Sequence, residues 1–468
     1  DNLNTLTSWW QTETGTSNPS SIGSTDTLWF GGSGQGASMN SLLLGGNLTV
    51  GALRLDNVTN TPNYSVTIAT GNTLTLSGNN DYNAGYLSGI VLNSGTGGTL
   101  TINSNVAIAN SQRFVTSRNL TIGGAVDLQG NTLTLHVAGG TQTFSGVISS
   151  STAGGKLLID NGAKGGWIYL SKANTYDGGT TLTIGQLWIG NAAALGTGTL
   201  TLNGSAAGNA QLSSWNTTAY TLANNINFGA NTYADIAPSG YGALTLSGNV
   251  DLGSATRTIT TSGTATFSGV ISGAGGISFA GAGTRTLSGA NTYSGATTVT
   301  AGVLSVSADN NLGTAPVSAT AGNIVLNGGT LAVTTGFTLS TNRGVALGPT
   351  SGSGSGTIDV ASGQTLSYGG TLANNGGTGG LIKANSGTLT LSAGSTYSGG
   401  TTLRAGGITI SNGSALGTSG TVTINDASTG TSNTTLLLDA TAGGVTLGRA
   451  ITVANQGTGT VVLGSAST

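Results

Sequence analysis

The chain has 468 residues, of which 83 are glycine and only 6% are charged, with a formal net charge of −2. Charges this sparse and balanced leave no basic stripe for nucleic acid and no polybasic patch for a membrane surface. The 37% share of apolar residues argues against disorder, and the absence of cysteine excludes a disulfide framework.

The first 45 residues differ in kind from the remainder of the chain. They concentrate four large aromatic residues, Trp9, Trp10, Trp29 and Phe30, and they hold Pro19. This concentration predicts a separate N-terminal segment over residues 1–45 that acts as a cap or as a docking element.

From residue 46 onward, a short unit of the form Gly-(Asn/Thr)-x-Leu-Thr-Leu returns many times. Copies end in Leu74-Thr-Leu76, Leu133-Thr-Leu135, Leu200-Thr-Leu202 and Leu389-Thr-Leu391. Apolar and polar residues alternate with a period of two, as a half-buried strand requires. The flanking glycine and asparagine residues supply the backbone conformations of sharp corners.

The spacing of these units decides the fold class. Successive units lie about 20–30 residues apart, which is too close for parallel strands joined by real helices. Propeller blades carry regular aromatic signatures, whereas aromatic residues make up only 5% of this chain. We therefore predict an all-β chain in which residues 46–468 form one elongated parallel β-solenoid of roughly 16–22 rungs.

A longer repeat in the sequence spans several of these short units. Asn174-Thr-Tyr176 returns as Asn291-Thr-Tyr293 and as Ser395-Thr-Tyr397, each followed by a Leu-Gly pair. This repetition predicts three diverged modules over about 144–266, 267–370 and 371–468. We expect Tyr176, Tyr293 and Tyr397 to be structural and to pack over corners; stacking on carbohydrate is the alternative for the same rings.

The motif itself resembles a known family. Residues 283–304 read G-T-R-T-L-S-G-A-N-T-Y-S-G-A-T-T-V-T-A-G-V-L, and partial copies begin at Trp167 and Gly387. This pattern resembles the autotransporter-associated β-strand repeat, also called the passenger-associated transport repeat. The resemblance implies an exported bacterial protein with a right-handed parallel β-helix, displayed on the cell surface or released, as in adhesins, surface fibres and passenger stalks.

Few residues could carry chemistry. The chain has one glutamate, Glu13, and one histidine, His136, which has the outward phase of its strand unit. The aspartates are scattered, and no phosphate loop, calcium nonapeptide or catalytic set is present. We therefore predict no enzyme activity, no metal and no cofactor. A polysaccharide-degrading β-helix enzyme is a minor alternative, because stacking can bring aspartates of different rungs together.

Two functions from different classes remain for the non-catalytic chain. Strand-like units such as Ile451-Thr-Val453 and Val461-Val-Leu463 continue towards the end without a cap. An open edge facing the distinct segment 1–45 would give a head-to-tail, non-closing contact. We therefore predict a subunit of an extracellular homopolymeric filament, with segment 1–45 docking on a neighbour; in the alternative, segment 1–45 plugs its own first rung.

The competing function is a monomeric adhesin or passenger stalk that binds glycans or surfaces. In that case outward-facing aromatic residues would matter, and we single out Trp167, Trp188 and Trp215. Neither function involves nucleic acid. No run of roughly 18 apolar residues is present, so we expect no membrane insertion.

Overall fold

The computed structural model describes residues 23–30, 39–42, 44–55, 65–69, 72–80, 86–93, 99–160, 166–205, 210–231, 233–439 and 444–466. These residues form an all-β structure in which parallel stacks build a β-solenoid of about 16 turns. The predicted fold class is confirmed. The chain divides into two compact units, Asp1–Ala237 with Tyr241–Leu244, and Pro238–Gly240 with Thr245–Thr468. The module boundaries drawn from the sequence stay predictions.

The strands of the first unit are β1 Thr27–Phe30, β2 Met39–Leu42, β3 Leu48–Val50, β4 Ala52–Leu55, β5 Ser65–Ile68, β6 Thr73–Leu76, β7 Asn79–Asn80, β8 Leu87–Leu92, β9 Thr99–Ile102, β10 Asn105–Ile108, β11 Gln112–Thr116, β12 Asn119–Ile122, β13 Val126–Asp127, β14 Thr132–Val137, β15 Gly140–Phe144, β16 Ile148–Ser149, β17 Lys156–Asp160, β18 Gly166–Leu170, β19 Thr180–Ile189, β20 Leu200–Leu202, β21 Ala210–Ser214, β22 Tyr220–Leu222, β23 Ile226–Phe228 and β24 Tyr233–Ile236.

The remaining strands are β25 Leu244–Leu246, β26 Val250–Asp251, β27 Arg257–Thr260, β28 Thr264–Phe267, β29 Ile271–Ser272, β30 Ile277–Ala280, β31 Thr284–Leu287, β32 Thr297–Val299, β33 Val303–Val306, β34 Thr320–Leu326, β35 Thr330–Val333, β36 Phe337–Leu339, β37 Arg343–Leu347, β38 Ser353–Val360, β39 Thr365–Tyr368, β40 Leu372–Asn374, β41 Thr378–Ala384, β42 Thr388–Leu391, β43 Thr401–Leu403, β44 Gly406–Ile410, β45 Val422–Ile424, β46 Thr434–Asp439, β47 Ile451–Val453 and β48 Val461–Ala466.

Three parallel stacks form the walls of the first unit. One runs β1, β4, β8, β11, β14, β17, β19, β20, β23. A second runs β2, β5, β9, β12, β15, β18, β19, β21, β24. The third runs β3, β6, β10, β13, β16. Each turn of the chain therefore contributes a strand to successive walls.

Strand β19 belongs to two of these walls at once. Its first half pairs with β17 and β20, and its second half pairs with β18 and β21. Gly185 lies between the halves with a φ of 114°, a backbone conformation that residues with a Cβ rarely adopt. This glycine lets one strand turn the corner without a loop.

The second unit repeats the three-walled plan. One stack is β27, β30, β32, β34, β37, β40. Another is β28, β31, β33, β35, β38, β41, β43, β45, β47. A third is β36, β39, β42, β44, β46, β48.

The core consists of columns of inward side chains that touch their counterparts on adjacent turns. In the first unit one column is Ile90, Phe114, Leu135, Ile159 and Leu182, all paired in register and all fully buried. Thr134 and Thr181, which directly precede Leu135 and Leu182 in the chain, are only partly buried. The alternation predicted from the sequence therefore sorts aliphatic residues inward and threonine outward.

Three cations interrupt the apolar interior of the second unit. Arg285, Arg343 and Lys383 are fully buried. Arg343 forms a salt bridge with Asp309, with 2.9 Å between Nε and Oδ1. The Arg285 guanidinium instead donates to backbone oxygens, including those of Thr261 at 2.7 Å and Ala301 at 3.0 Å. Burial lowers the pKa of Arg285 to about 10.

Helical structure is minimal. Among the described residues the helix is the 3-10 turn Asp309–Leu312. Over the same residues, the structure contains no helix long and apolar enough to cross a membrane.

Candidate functional site

The residues proposed for subunit docking are only partly described. Trp9 and Trp10 lie outside the described residues. Trp29 and Phe30 end strand β1, and their backbones pair with Arg54 and Leu55 of β4. The cap and the docking roles of segment 1–45 therefore stay predictions.

The three repeated tyrosines lie in the core. Tyr176, Tyr293 and Tyr397 each have 0% exposure. Each phenol shares a hydrogen bond with the threonine four residues later, at Oη–Oγ1 distances of 2.6, 2.7 and 2.5 Å respectively. Burial raises the pKa of Tyr293 to about 12 and holds those of the other two well above the usual range. Rings this enclosed have no face available for a sugar.

The buried polar residue two positions before each tyrosine, asparagine in two copies and serine in the third, forms hydrogen bonds with backbone groups of the adjacent turns. The Asn174 side chain accepts a hydrogen bond from the Ile148 N–H at 2.8 Å and donates to the Ala194 oxygen at 2.6 Å. Asn291 repeats both bonds at the same distances with Ile271 and Asn311. In the third copy the Ser395 hydroxyl accepts from the Leu372 N–H at 3.3 Å. In each copy the tyrosine, the threonine four residues later and the polar residue two positions earlier form a hydrogen-bonded set in the core. We call this set the core tyrosine cassette.

The glycine of each subsequent Leu-Gly pair closes this cassette. Gly196, Gly313 and Gly417 have positive φ values of 65°, 78° and 91°. A Cβ on any of them would lie about 3.0 Å from the tyrosine ring on the previous turn. The spacing between tyrosine and glycine is therefore a packing constraint, which explains why both recur together.

A second set of aromatic residues lies on the outer face of the first unit. We call it the aromatic patch, and it consists of Trp167, Tyr169, Trp188, Trp215 and Tyr241. Tyr169 stacks on Trp215 with ring centroids 4.3 Å apart and an interplanar angle of 24°. Trp188 forms edge-to-face contacts with Trp167, Trp215 and Tyr241 at 5.6, 5.9 and 4.4 Å. The distances of Trp188 to Trp167 and Trp215 are within the range of favourable aromatic pairs, and the other two lie just below its short end.

The patch has a buried centre and an exposed rim. Trp188 is only 4% exposed, whereas Trp167 and Trp215 are each 42% exposed and Tyr241 is 39% exposed. The indole Nε1 of Trp188 is buried and has no hydrogen-bond partner. Tyr169 is half-buried. Its burial raises the pKa of the phenol, and the neighbouring Tyr220 raises it further.

Strand register and two turns hold these rings in place. In the second wall, Tyr169 of β18 pairs with Trp188 of β19, so both project outward on adjacent turns. The Trp215 N–H extends the ladder by donating to the Ile189 oxygen at 2.8 Å. The turns that carry Trp215 and Tyr241 are joined, because the Gly242 N–H donates to the Asn216 oxygen at 2.7 Å.

Gly190 makes room for the stacked pair. It lies directly after β19, and a Cβ at this position would lie 2.5 Å from the Tyr169 hydroxyl. A larger residue would push the Tyr169 ring away from Trp215.

A polar column runs beside the aromatic patch. Trp167 pairs with Gln186, Gln186 with Gln211 and Gln211 with Asp235 on successive turns. The adjacent column continues from Tyr169 and Trp188 to Ser213. Together the two columns present ring faces, amides and one carboxylate, and they contain no lysine or arginine; the Ser213 hydroxyl is buried.

The comparison with known families decides what kind of chain this is. The Passenger-associated-transport-repeat family matches residues 169–189, 280–306 and 381–414. These matches overlap the three copies identified in the sequence, and each contains one buried tyrosine. Three segments of the chain therefore match the passenger-associated transport repeat that the sequence motif resembles.

One curated relative extends the similarity beyond the repeats. The chain is 30% identical over 277 residues to the "Adhesin BmaC autotransporter" of Brucella suis biovar 1 (strain 1330). The matched segment is 58% of this chain and 7% of that much longer protein. No solved structure matches.

Titratable side chains come together around Arg113 on the outer face of the first unit. Arg113 is 3.5 Å from the Asp160 carboxylate and 3.2 Å from Nδ1 of His136. The Arg113 guanidinium also lies 4.7 Å from the centroid of the Tyr86 ring. His136 is half-buried at the outward position that its sequence phase predicts. Among the described residues no group of three or more potential metal ligands occurs.

Sequence reasoning found part of the aromatic patch. Trp167, Trp188 and Trp215 are brought into one cluster by register, although they are widely spaced in the chain. Tyr169 and Tyr241 were missed. Tyr169 could have been found from its phase, since it shares the outward face of β18 with Trp167. Tyr241 lies in a turn, where alternation gives no signal.

Proposed function

We propose that this chain is a β-solenoid part of the exported passenger of a bacterial cell-surface adhesin, and that the aromatic patch is its contact surface. The patch carries the proposal. Clustered exposed aromatic rings on a protein surface mark interaction sites, and here the stack register and the joined turns hold them in position. The similarity to an adhesin over more than half of the chain supports the same function.

A bead-retention experiment tests this proposal. Beads coated with the purified chain are passed over cultured cells and over immobilised extracellular matrix under flow. We expect retention well above albumin-coated beads, and loss of most of that excess in the Trp167→Ala/Trp215→Ala double variant. The matched control is Tyr86→Ala, which removes an exposed aromatic residue outside the patch. Equal retention of wild-type and albumin beads would contradict the proposal.

We assign no catalytic role to the chain. Glycoside hydrolysis ordinarily uses two carboxyl groups that flank the scissile bond, and the two columns beside the patch contain one, Asp235. Incubation of the chain with polysaccharides should therefore release no new reducing ends.

Head-to-tail assembly into a filament remains a hypothesis, and no comparison supports it. Strands β47 and β48 expose Ile451, Val453, Val462 and Leu463 by 38–49%. A further solenoid turn would cover these apolar side chains, whether it belongs to the same longer protein or to a second copy. Sedimentation velocity across a concentration series separates the two, because only self-association gives concentration-dependent species.

A further inference from the structure

We infer that the aromatic patch binds a neutral glycan, whose sugar rings stack on Trp167, Trp215 and Tyr241 while its hydroxyl groups bond to Gln186, Gln211 and Asp235. The inference rests on the proposed contact function of the patch and names the chemical class of its ligand.

The ring faces determine the apolar half of the interaction. The face of an aromatic ring carries the negative lobe of its quadrupole. The C–H bonds on one face of a pyranose are polarised positively by the attached oxygens, so that face is attracted to the ring. Trp167, Trp215 and Tyr241 each leave about two fifths of their surface open, so a sugar ring can reach them from solvent.

The neighbouring polar column determines the other half. Gln186 and Gln211 each offer one acceptor and two amide donors, and the Asp235 carboxylate accepts. A ligand dense in hydroxyl groups, each both donor and acceptor, satisfies all of these. A lipid tail would displace water from Gln186 and Gln211 without offering hydrogen bonds in return, at a cost in affinity. The same composition therefore selects carbohydrate over lipid.

Charge selects a neutral glycan. The two columns hold one carboxylate and no basic side chain, so they have no partner for a sialic acid, a sulfate or a phosphate. Nucleic acid is excluded for the same reason. Asp235 would repel an anionic sugar that approached the polar column.

The geometry also fixes the direction of the bound chain. Trp167, Trp188, Trp215 and Tyr241 come from four successive turns, which lie about 4.8 Å apart. Their rings converge on Trp188, whose centroid is 5.6 Å from that of Trp167 and 4.4 Å from that of Tyr241, so the two end rings are at most about 10 Å apart. An oligosaccharide would therefore lie across the strands, along the direction in which the turns stack. The buried, unpaired Nε1 of Trp188 supplies a donor for a ligand oxygen that enters between the rim residues.

Titration with defined oligosaccharides tests the inference. The full chain is titrated with hexasaccharides of glucose, N-acetylglucosamine, mannose and galactose, and with sialyllactose and heparin, while tryptophan fluorescence and calorimetric heat are followed. We expect saturable binding of at least one neutral hexasaccharide, unchanged between low and high salt because no charge pair is formed. Absence of binding to all four, or salt-sensitive binding of the anionic probes alone, would overturn the inference.

Variants locate the site. We expect Trp215→Ala to weaken binding at least tenfold, and Gln211→Ala a few-fold. Trp215→Phe should retain most of the affinity, because a stacking ring remains, and the control Tyr86→Ala should be neutral. Circular dichroism and melting temperature verify that each variant is folded. If Trp215→Ala binds as tightly as the wild type while folded, the patch is not the site.

The two proposals fail separately. Bead retention that depends on the patch but survives glycosidase treatment of the target surface keeps the adhesin function and overturns the glycan inference. Neutral-glycan binding by a chain that gives no bead retention keeps the inference and overturns the adhesin function.

Discussion

Lys383 occupies an inward position between two apolar residues of the same column. Its partners on the adjacent turns are Ile358 and Leu403, and all three are buried. The ammonium donates to the backbone oxygens of Ala384 and Asn385 at 2.8 and 2.7 Å. Burial lowers the pKa of Lys383 to about 8, and the attraction of Asp359 offsets only part of that effect.

This depressed pKa predicts a distinct pH dependence. The unfolded chain keeps the lysine proton up to its usual pKa of about 10.4, whereas the folded chain loses it from about 8. Between these values the unfolded state binds more protons, so stability rises with pH. The unfolding free energy of the wild type, minus that of Lys383→Met, should therefore rise by roughly 2–3 kcal/mol from pH 7 to 10. Urea unfolding of both proteins across that range measures it, and a constant difference would contradict the shift.

The core tyrosines allow a cleaner test of a single hydrogen bond. Tyr293→Phe removes the hydroxyl that bonds to Thr297 Oγ1 at 2.7 Å and leaves the ring in place. We expect a loss of about 1 kcal/mol in unfolding free energy. Tyr293→Ala should cost about 3–5 kcal/mol, since it also opens a cavity.

A double-mutant cycle with Thr297→Val isolates the bond. If the two single changes add without coupling, the hydroxyls do not stabilise one another.

At the scale of the strand, β19 shows how a single residue joins two walls. The corner at Gly185 has a φ of 114°, so a side chain there is strained. We expect Gly185→Ala to destabilise the first unit by about 1–3 kcal/mol. Gly448→Ala is the matched control, because a Cβ at that position meets no atom within 4 Å. Thermal melts compare the two, and an equal effect would show that the corner imposes no conformational demand.

Strand positions were the part of the fold most open to prediction. The Thr-Leu-Thr-Leu units coincide with β6, β14 and β42, and the Thr-Leu-Thr-Ile unit with β9, because alternation is a local property. The sequence predicted only part of the core tyrosine cassette. Its repetition indicated a structural role for the three tyrosines. Burial of each phenol depends on which threonine it faces, and that is a property of the folded turn.

Contacts between turns were not predictable from local pattern. Lys383 has the inward phase of its strand, yet a cation is ordinarily assigned to the surface; only the nearby carbonyls of the corner make the position tolerable. The aromatic patch likewise depends on register. Trp167 and Trp215 become neighbours only when the number of residues per turn is known, and that number varies along the chain.

For the whole molecule, buried tyrosines dominate the response to alkali. Burial raises the pKa of Tyr293 and of Tyr368 to about 12, and raises those of Tyr176 and Tyr397 as well. Unfolded tyrosine ionises near 10, so between about 10 and 12 the folded state binds more protons and stability falls as pH rises. Each such group costs about 1.4 kcal/mol per pH unit. The buried Arg285, with its lowered pKa of about 10, and Arg257, whose pKa burial also lowers, act in the opposite direction.

The balance predicts stability that rises towards pH 10, as Lys383 loses its proton, and then falls steeply. Tyrosinate absorbance and circular dichroism followed together from pH 9 to 13 measure this. The four buried phenols should ionise only in the same cooperative step as unfolding. The quadruple Tyr→Phe variant should shift that step to higher pH, although it starts less stable at neutral pH. Smooth ionisation of all the tyrosines near pH 10 with the β-structure intact would show that the cassettes are open to solvent, and would remove the main support for a close-packed core.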